Sequence, residues 1–237
     1  MKVSLWSGPR NCSTALMYSF AQRSDFKVLD EPLFAHFLKL TGAERPSREE
    51  ALRTMSTDFE SIVHAWEYAG SHLFLKHMAN HLEGANSISF QEHKHVFLIR
   101  DPRKVIRSFR AHVDQPTAMD LCYNHQWEWL QKCCKNSWPY LVVDSDDLVV
   151  NPETNLRRIC TFLKVPFEQE MLSWNPGPRP EDGAWAKYWY QRVHASSGWE
   201  SPKHLRSEVH EVPSGFSELL AEVEPVFRKL QQHLQTH

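Results

Sequence analysis

Short apolar runs alternate with amphipathic segments along most of the chain. Five runs rich in Val, Leu, Ile and Phe have the length and composition of buried strands, at 3–6, 26–29, 72–76, 95–99 and 140–143. Between them, apolar residues recur with helical spacing at about 13–22, 57–68, 102–112 and 117–135. Strands that alternate with helices form βαβ units. The pattern therefore predicts an α/β fold whose central five-stranded parallel sheet is flanked by helices.

The last third of the sequence has a different pattern. Asn151 followed by Pro152 is typical of an N-cap and a first helical position, and apolar spacing continues that helix to Leu163. Three prolines and two glycines between 175 and 183 exclude regular structure, which predicts a long functional loop at about 174–200. A last amphipathic helix is predicted at about 215–234. Too little chain follows the loop for a second core, so we interpret 1–237 as a single domain.

Composition and charge narrow the function classes. The 237 residues are 41% hydrophobic and 24% charged, as in globular proteins, and 27 basic against 29 acidic residues argue against a general nucleic-acid or membrane-surface binder. No apolar run approaches the roughly 18 residues of a membrane-spanning helix, and the N-terminus turns polar at Ser7, unlike a secretory signal. The five cysteines form no CxxC pair. Reduced thiols and a cytoplasmic location are therefore expected.

A candidate anion site follows the first predicted strand, in the segment Ser-Gly-Pro-Arg-Asn-Cys-Ser-Thr that starts at Ser7. A tight loop from a strand into a helix directs backbone N–H groups and the positive end of the helix dipole at one point. Arg10 adds a charge, and Ser13 and Thr14 add hydroxyls; the alternative is an ordinary turn that Ser13 caps. Counted from Gly8, the pattern GxxxxGK[ST] has Thr14 where the lysine belongs, which disfavours an NTP-dependent kinase.

A second candidate anion site follows the fourth predicted strand. Arg100 stands at the carboxyl end of that strand, where ligands of open parallel sheets bind, and Ser108 lies two turns along the next helix. An arginine fork binds phosphate and a hydroxyl can complete the site. We assign only these two residues to the site, and interpret the other arginines of the segment as a solvated helix face.

Three segments together resemble the PAPS-dependent sulfotransferases. The loop after Ser7 resembles their 5′-phosphosulfate loop, and Arg100 with Ser108 eight residues later resembles their 3′-phosphate motif. The stretch from Asp146 to Leu163 is similar to their Tyr-Glu-Asp-Leu…Asn-Pro…Leu-Arg…Phe-Leu segment. The motifs occur in family order, and the resemblance spans about residues 1–200. It implies a P-loop-like nucleotide-binding architecture, PAPS as co-substrate, 3′,5′-ADP as product and no metal. The nucleotide-binding residues that these motifs imply are Arg10, Asn11, Cys12, Ser13, Thr14, Arg100 and Ser108.

The sequence departs from the family pattern in three places. Asn11-Cys12 replaces a Ser-Gly pair, so the loop must turn without glycine there, and Ser145 stands where many members have a nucleotide-contacting tyrosine. The usual Arg-Lys-Gly…Gly-Asp-Trp-Lys loop is only loosely echoed. That echo implies a loop that closes over the cofactor, and its candidate binding residues are Arg179, Gly183, Trp185 and Lys187. Arg179 or Lys187 would contact phosphate and Trp185 adenine, although the aromatic residues of 185–189 equally suit a core or an acceptor pocket.

Sulfuryl transfer needs a base for the acceptor proton and cations around the departing phosphate. Glu31 follows the second predicted strand, where many small and bacterial-type sulfotransferases carry a catalytic glutamate. His77, taken to follow the third strand, resembles the Lys-Thr-His site of cytosolic members with one residue missing. We favour Glu31, which matches without a gap, and keep His77 as the alternative, since a free histidine titrates nearer neutrality. Lys76 and Arg10 are expected to stabilise the transferring group.

Two other function classes remain open at this point. A P-loop kinase of a small metabolite conflicts with the displaced lysine, whereas a non-catalytic binder of 3′,5′-ADP would keep both anion sites. A metal site is not expected, because the HExxH pattern lacks its glutamate after His77. A small-molecule acceptor is expected, with no nucleic-acid or membrane partner. The sequence leaves the acceptor and the oligomeric state open.

Overall fold

Five strands form a single sheet in the computed structural model, which describes residues 1–67, 70, 72–199 and 212–234. The strands are β1 (Lys2–Ser7), β2 (Phe26–Asp30), β3 (His72–Met78), β4 (Lys94–Ile99) and β5 (Tyr140–Asp144). Their order in the sheet is β2-β3-β1-β4-β5, and every neighbouring pair is parallel. The predicted α/β fold with a five-stranded parallel sheet is confirmed.

Helices cover both faces of the sheet, as parallel sheets require. The helices are α1 (Ser13–Ala21), α2 (Phe34–Thr41), α3 (Arg48–Thr54), α4 (Phe59–Glu67), α5 (Pro102–Phe109), α6 (Ala118–Leu121), α7 (Tyr123–Lys135), α8 (Ser145–Val150), α9 (Pro152–Leu163), α10 (Ala186–Trp189), α11 (Gln191–His194) and α12 (Ser217–Gln231). Apolar residues of α1, α8 and α9 pack on one face, with Val3 and Leu5 of β1. Residues of α4, α5, α7 and α12 pack on the other face around Trp6. Alternate side chains of each strand thus enter two separate cores.

Several predicted elements have other boundaries than expected. The helix predicted over 117–135 is broken into α6 and α7 at Cys122, whose φ is +67°. The third strand continues to Met78, so the prediction that His77 follows that strand is wrong. Pro152 does occupy the first turn of α9, but the Asn151 side chain makes no cap and donates instead to Asp147 Oδ1 at 2.7 Å. The predicted loop at 174–200 contains two single-turn helices, α10 and α11.

The sheet order decides which polar residues can meet. The loop after β1 lies in the middle of the sheet's carboxyl edge, the end of β4 lies on one side of it, and the ends of β3 and β2 lie on the other. Arg100 and Glu31 are therefore brought to opposite sides of the β1–α1 loop.

In the part of the chain that the structure describes, no helix is both long enough and apolar enough to span a bilayer.

Candidate active site

A cavity of about 590 Å³ opens at the carboxyl edge of the sheet. Gly8, Glu31, Met78 and Arg100, which lie at or just beyond the ends of four strands, contribute to its wall. Ten of the residues that the sequence analysis singled out line this cavity: Arg10, Asn11, Cys12, Ser13, Thr14, Glu31, Lys76, Arg100, Ser108 and Trp185. Four others, His77, Arg179, Gly183 and Lys187, are not among its lining residues in the described part of the chain.

The β1–α1 loop makes its turn without the glycine expected at its centre. Arg10 and Cys12 take left-handed backbone conformations, with φ of +59° and +58°, which cost non-glycine residues roughly 1–2 kcal/mol each. Side-chain anchors hold the turn: Asn11 Nδ2 donates to Leu98 O at 2.9 Å, and Ser145 Oγ donates to Asn11 O at 2.8 Å. Ser145, which stands where many family members have a tyrosine, therefore helps to hold the loop through this hydrogen bond.

Gly8 is fixed by a close approach to another backbone. A Cβ atom at this position would lie 2.5 Å from the Leu121 carbonyl oxygen, well inside van der Waals contact. The loop is thus pressed against the end of α6, and only glycine fits at that point.

The arginine end of the cavity consists of Arg10, Arg100, Ser108 and Arg192 together with the loop residues 12–14. Arg10 Nε donates to Ser108 Oγ at 2.9 Å, and Arg100 Nη1 donates to Arg10 O at 2.8 Å. Arg100 Nε also donates to Asp146 Oδ1 at 3.0 Å. These bonds use two of the five N–H donors of Arg100. The remaining donors, beside two further guanidinium groups, suit a multiply charged anion.

Arg192 of α11 joins this end, and the sequence analysis missed it. It is exposed, and among the described residues no carboxylate lies within ion-pair distance of it. Burial lowers the pKa of Arg10, and the charges of Arg192 and Arg100 lower it further, which places the three cations close together. Arg192 lies outside the segment 179–187 that echoed a family motif, so neither spacing nor motif indicated it.

The segment 179–187 lies differently from what its motif implied. Arg179 sits over the Tyr18 ring and pairs with Glu181, and Lys187 pairs with Glu50 on the exposed surface. The Gly183 N–H donates to Asp30 Oδ2 at 3.1 Å. Of this segment, only Trp185 lines the cavity, and its ring packs against Phe34 with centroids 4.8 Å apart.

The Glu31 end of the cavity consists of Glu31, Phe34, Lys76, Met78, Asn80, His81, Trp185 and Tyr190. A buried polar network supports it. Lys76 Nζ donates to Asp30 Oδ1 at 2.7 Å, to Glu31 Oε1 at 2.6 Å and to Tyr190 OH at 2.8 Å. Burial alone would lower the pKa of Lys76, but Asp30 and Glu31 outweigh burial and raise it well above its ordinary value. Lys76 is therefore a fixed cation that ties β2, β3 and the segment after α10 together.

Glu31 is the carboxylate that this network presents to the cavity. Its backbone is left-handed, with φ of +46°, and its N–H donates to Lys76 O at 2.8 Å. Oε1 is held by Lys76, whereas Oε2 accepts no hydrogen bond from the described residues and lies 3.9 Å from His81 Nδ1. The His81 ring stacks on Phe34 and Phe37 with centroids 5.2 and 4.7 Å away. One carboxylate oxygen is thus oriented and the other is left for a ligand.

His77 lies in a different environment. It is fully buried in the core on the other face of β3, and its ring stacks on Trp6 with centroids 4.5 Å apart. In the described part of the chain, neither ring nitrogen of His77 has a hydrogen-bond partner, and burial lowers the pKa of His77 well below the ordinary value. The described residues also contain no group of three or more His, Cys, Asp and Glu side chains suited to a metal ion.

One family model matches this chain in the comparisons with known proteins. The family model described as a sulfotransferase domain matches residues 1–231. Branched-chain-amino-acid aminotransferase-like proteins 1 and 2 of Arabidopsis thaliana are 40% and 38% identical over 236 residues. The match covers 98% of this chain but 42% of each relative, so the chain spans about two fifths of their length.

Solved structures share the fold at low sequence identity. The sulfotransferase domain of the Synechococcus PCC 7002 olefin synthase superposes with a TM-score of 0.63 at 18% identity, covering 96% of this chain and 94% of that one. The sulfotransferase domain of the curacin biosynthetic pathway gives 0.61 at 19% identity, covering 98% of each chain. Mouse sulfotransferase SULT7A1, in a complex with PAP, gives 0.51 at 13% identity, covering 99% of this chain and 89% of that one.

Proposed function

The chain belongs to the sulfotransferase domain family, and from that membership we propose that it transfers a sulfuryl group from PAPS to a hydroxyl or amine of a small acceptor, releasing 3′,5′-ADP. One observation carries the proposal: a single cavity joins two predicted anion-binding motifs at its arginine end to an oriented carboxylate, Glu31, at its other end. This is the arrangement that in-line transfer requires, with the donor anion on one side and the acceptor's base on the other.

The arginine end supplies the nucleotide contacts in this proposal. The β1–α1 loop, with Ser13 and Thr14, would hold the 5′-phosphosulfate, while Arg100 and Ser108 would hold the 3′-phosphate. Arg10 donates to Ser108 Oγ and accepts from Arg100 through its carbonyl, so it connects the two subsites. Arg192 adds a cation at the same end. No bound metal is needed where such fixed donors stabilise the departing phosphate.

The Glu31 end supplies the acceptor chemistry. Glu31 Oε2 takes the proton from the acceptor hydroxyl or amine. As it does so, a lone pair of the acceptor oxygen or nitrogen forms a bond to sulfur. The bond between sulfur and the bridging oxygen breaks at the same time, and its electron pair leaves with 3′,5′-ADP. Lys76 holds Oε1 at 2.6 Å, so it orients the base and offsets the charge of the carboxylate before transfer. His77 has no role in this scheme, because it does not line the cavity.

Nucleotide binding tests the proposal directly. Thermal stabilisation of the protein by 3′,5′-ADP should clearly exceed that by 5′-AMP at equal concentration, since only the former fills both anion subsites; ligand at 100 times its Kd contributes about 2.7 kcal/mol. Arg100→Ala should weaken 3′,5′-ADP binding by about 1.5–3 kcal/mol and Ser108→Ala by less, because a charged donor is worth more than a neutral one. Arg192→Ala should weaken it as well, while Arg179→Ala, outside the cavity, serves as the matched control.

Two results would contradict the proposal. Equal stabilisation by both nucleotides would mean that no 3′-phosphate subsite exists. Stronger stabilisation by ATP with Mg²⁺ than by 3′,5′-ADP would favour a kinase instead. Transfer of label from [³⁵S]PAPS to an extract of small metabolites then distinguishes an enzyme from a non-catalytic binder of 3′,5′-ADP.

A further inference from the structure

The charged donors at the Glu31 end of the cavity are already used by the protein. A lysine ammonium has three N–H donors, and those of Lys76 go to Asp30, Glu31 and Tyr190, at 2.6–2.8 Å. Burial raises the pKa of Tyr190 well above its ordinary value, so its hydroxyl stays protonated and bonded within the network. Lys76 therefore has no donor left for a ligand.

The other cation near this end is also paired. Arg45, which lines the cavity between α2 and α3, forms an ion pair with Asp120 of α6. Asp120 in turn accepts from the Thr117 N–H at 2.9 Å, which fixes the carboxylate in place. The neighbouring Glu44 lines the cavity and is exposed. His81 adds no charge, because burial lowers its pKa well below the ordinary value.

Hydrogen-bond acceptors, in contrast, are left without donors. Asn80 is 5% exposed and lines the cavity, and its buried Oδ1 has no hydrogen-bond partner among the described residues. Its Nδ2 donates to Met119 O at 3.5 Å, which identifies the oxygen as the unused atom. Glu31 Oε2 is the second unused acceptor. A buried acceptor without a donor costs roughly 1–3 kcal/mol, so a ligand that donates to it is favoured.

The remaining wall at this end is apolar. Phe34 and Trp185 pack edge to face, and Met78 lines the cavity beside them. Such a surface binds an apolar ligand body and leaves orientation to a few polar atoms.

Resting on the proposed function, we propose that the sulfuryl acceptor is an apolar alcohol or amine that is neutral or cationic, and that carboxylated and phosphorylated acceptors are rejected. The reacting group donates to Glu31 Oε2, and a second donor of the acceptor binds Asn80 Oδ1. An acidic group bound at the Glu31 end would lose its water without finding a free cation there, and it would lie near Glu31 and Glu44. The cost of burying an unpaired anion would make the site selective against acidic acceptors.

Three phenols of nearly equal size test the charge preference. Tyrosol is neutral, tyramine is cationic and 4-hydroxyphenylacetate is anionic, and each is titrated by calorimetry into protein saturated with 3′,5′-ADP. Tyrosol and tyramine should bind at least about tenfold more tightly than the anion, the factor of one well-placed interaction. Equal binding of the anion, or binding of none of the three, would overturn the acceptor class. Failure of 3′,5′-ADP itself to bind would count against the proposed function instead.

Two variants locate the preference in the named residues. Asn80→Leu keeps the volume but removes the oxygen, and should weaken tyrosol about tenfold without changing 3′,5′-ADP binding. Its control is Asn136→Leu, an exposed asparagine that also donates to a backbone carbonyl. Asp120→Asn releases Arg45 and should reduce the disadvantage of 4-hydroxyphenylacetate. An unchanged ranking of the phenols in Asp120→Asn, or unchanged tyrosol binding in Asn80→Leu, would contradict the assignment.

Discussion

Glu31 combines three features that a base in a buried site requires. Its backbone is strained at φ +46°, its Oε1 is held by Lys76, and its Oε2 accepts no hydrogen bond from the described residues. Left-handed conformations of non-glycine residues persist only where the surroundings enforce them, and they cluster at functional sites. Here the hydrogen bond from the Glu31 N–H to Lys76 O enforces the turn at the end of β2. The strain and the orientation of the carboxylate therefore have one cause, the pairing of β2 with β3.

Glu31→Gln tests the base separately from the nucleotide site. Glutamine keeps the shape and can still accept from Lys76, but it cannot take the acceptor proton. Sulfuryl transfer from PAPS to whichever phenol binds best should fall by about 10²–10⁴-fold, the usual worth of general-base catalysis, while 3′,5′-ADP affinity stays nearly unchanged. The measurement is kcat with labelled PAPS alongside calorimetric titration of 3′,5′-ADP.

The matched control for Glu31→Gln is His77→Phe. Phenylalanine preserves the stacking on Trp6, and the substitution removes no hydrogen bond to any residue that the structure describes. Activity should be nearly that of the wild type. A larger loss in His77→Phe, with Glu31→Gln retaining most activity, would transfer the role to His77.

The β1–α1 loop depends on contacts from elements distant in sequence. Gly8 meets the Leu121 carbonyl at the end of α6, Asn11 donates to the Leu98 carbonyl near the end of β4, and Ser145 of α8 donates to the Asn11 carbonyl. Because three elements fix the loop, we expect its N–H groups to be oriented before any ligand binds. Such preorganisation avoids the cost of ordering donors on binding.

Gly8→Ala should therefore affect both stability and binding. The added methyl would clash with Leu121 O at 2.5 Å and push the loop outward, lowering stability by about 1–3 kcal/mol, as overpacking does, and weakening 3′,5′-ADP binding. Gly177→Ala is the comparison, since Gly177 has φ +111° but no atom of the described residues within 4 Å of its Cβ position. That variant should lose stability through backbone strain alone. Thermal unfolding and calorimetry distinguish them, and unimpaired 3′,5′-ADP binding by Gly8→Ala would count against a preorganised loop.

Local sequence signals predicted the elements better than their junctions. The strands were predictable because both faces are buried, so that each reads as a continuous apolar run. The break at Cys122 was not, because a left-handed cysteine carries no sequence signal of the kind that glycine gives. The same limit applies to β3: Lys76 and His77 look like polar residues after a strand, yet each finds a buried place on one of its two faces.

Motifs in the segments that follow strands indicated Arg10, Arg100, Ser108 and Glu31, and all four line one cavity, while their roles there stay predictions. Side chains that reach the cavity or its polar network from distant parts of the chain could not be predicted. Tyr190 is 114 residues from Lys76, and Asn80 acquires its place through the 3₁₀ turn after β3. Arg192 enters the cavity because two short helices follow Trp185, an arrangement that tertiary packing decides rather than periodicity.

Buried histidines beside Trp6 in the core tie the stability of the fold to pH. His93 bonds to Ser4 Oγ at 2.7 Å and His95 accepts from Trp6 Nε1 at 3.0 Å. The Nε2 atom of each has no hydrogen-bond partner among the residues that the structure describes. Burial lowers the pKa of His93 to about 3 and that of His95 to about 4. Together with His77, they form a neutral polar layer within an aromatic core.

This layer predicts that the protein loses stability on mild acidification. In the unfolded chain, histidine binds a proton near pH 6.5, whereas in the fold His93 and His95 stay neutral until about pH 3–4. Below about pH 6.5 the unfolded state therefore binds more protons, so stability falls as pH falls, by about 1.4 kcal/mol per pH unit for each such group.

Urea unfolding at pH 7.5 and at pH 5.0 measures the loss. His77→Phe should make this loss smaller, because it removes one buried group whose pKa burial lowers well below the ordinary value. If His77→Phe lost as much stability between pH 7.5 and pH 5.0 as the wild type does, the prediction would be wrong. His77 would then bind a proton in the folded protein despite its packing against Trp6.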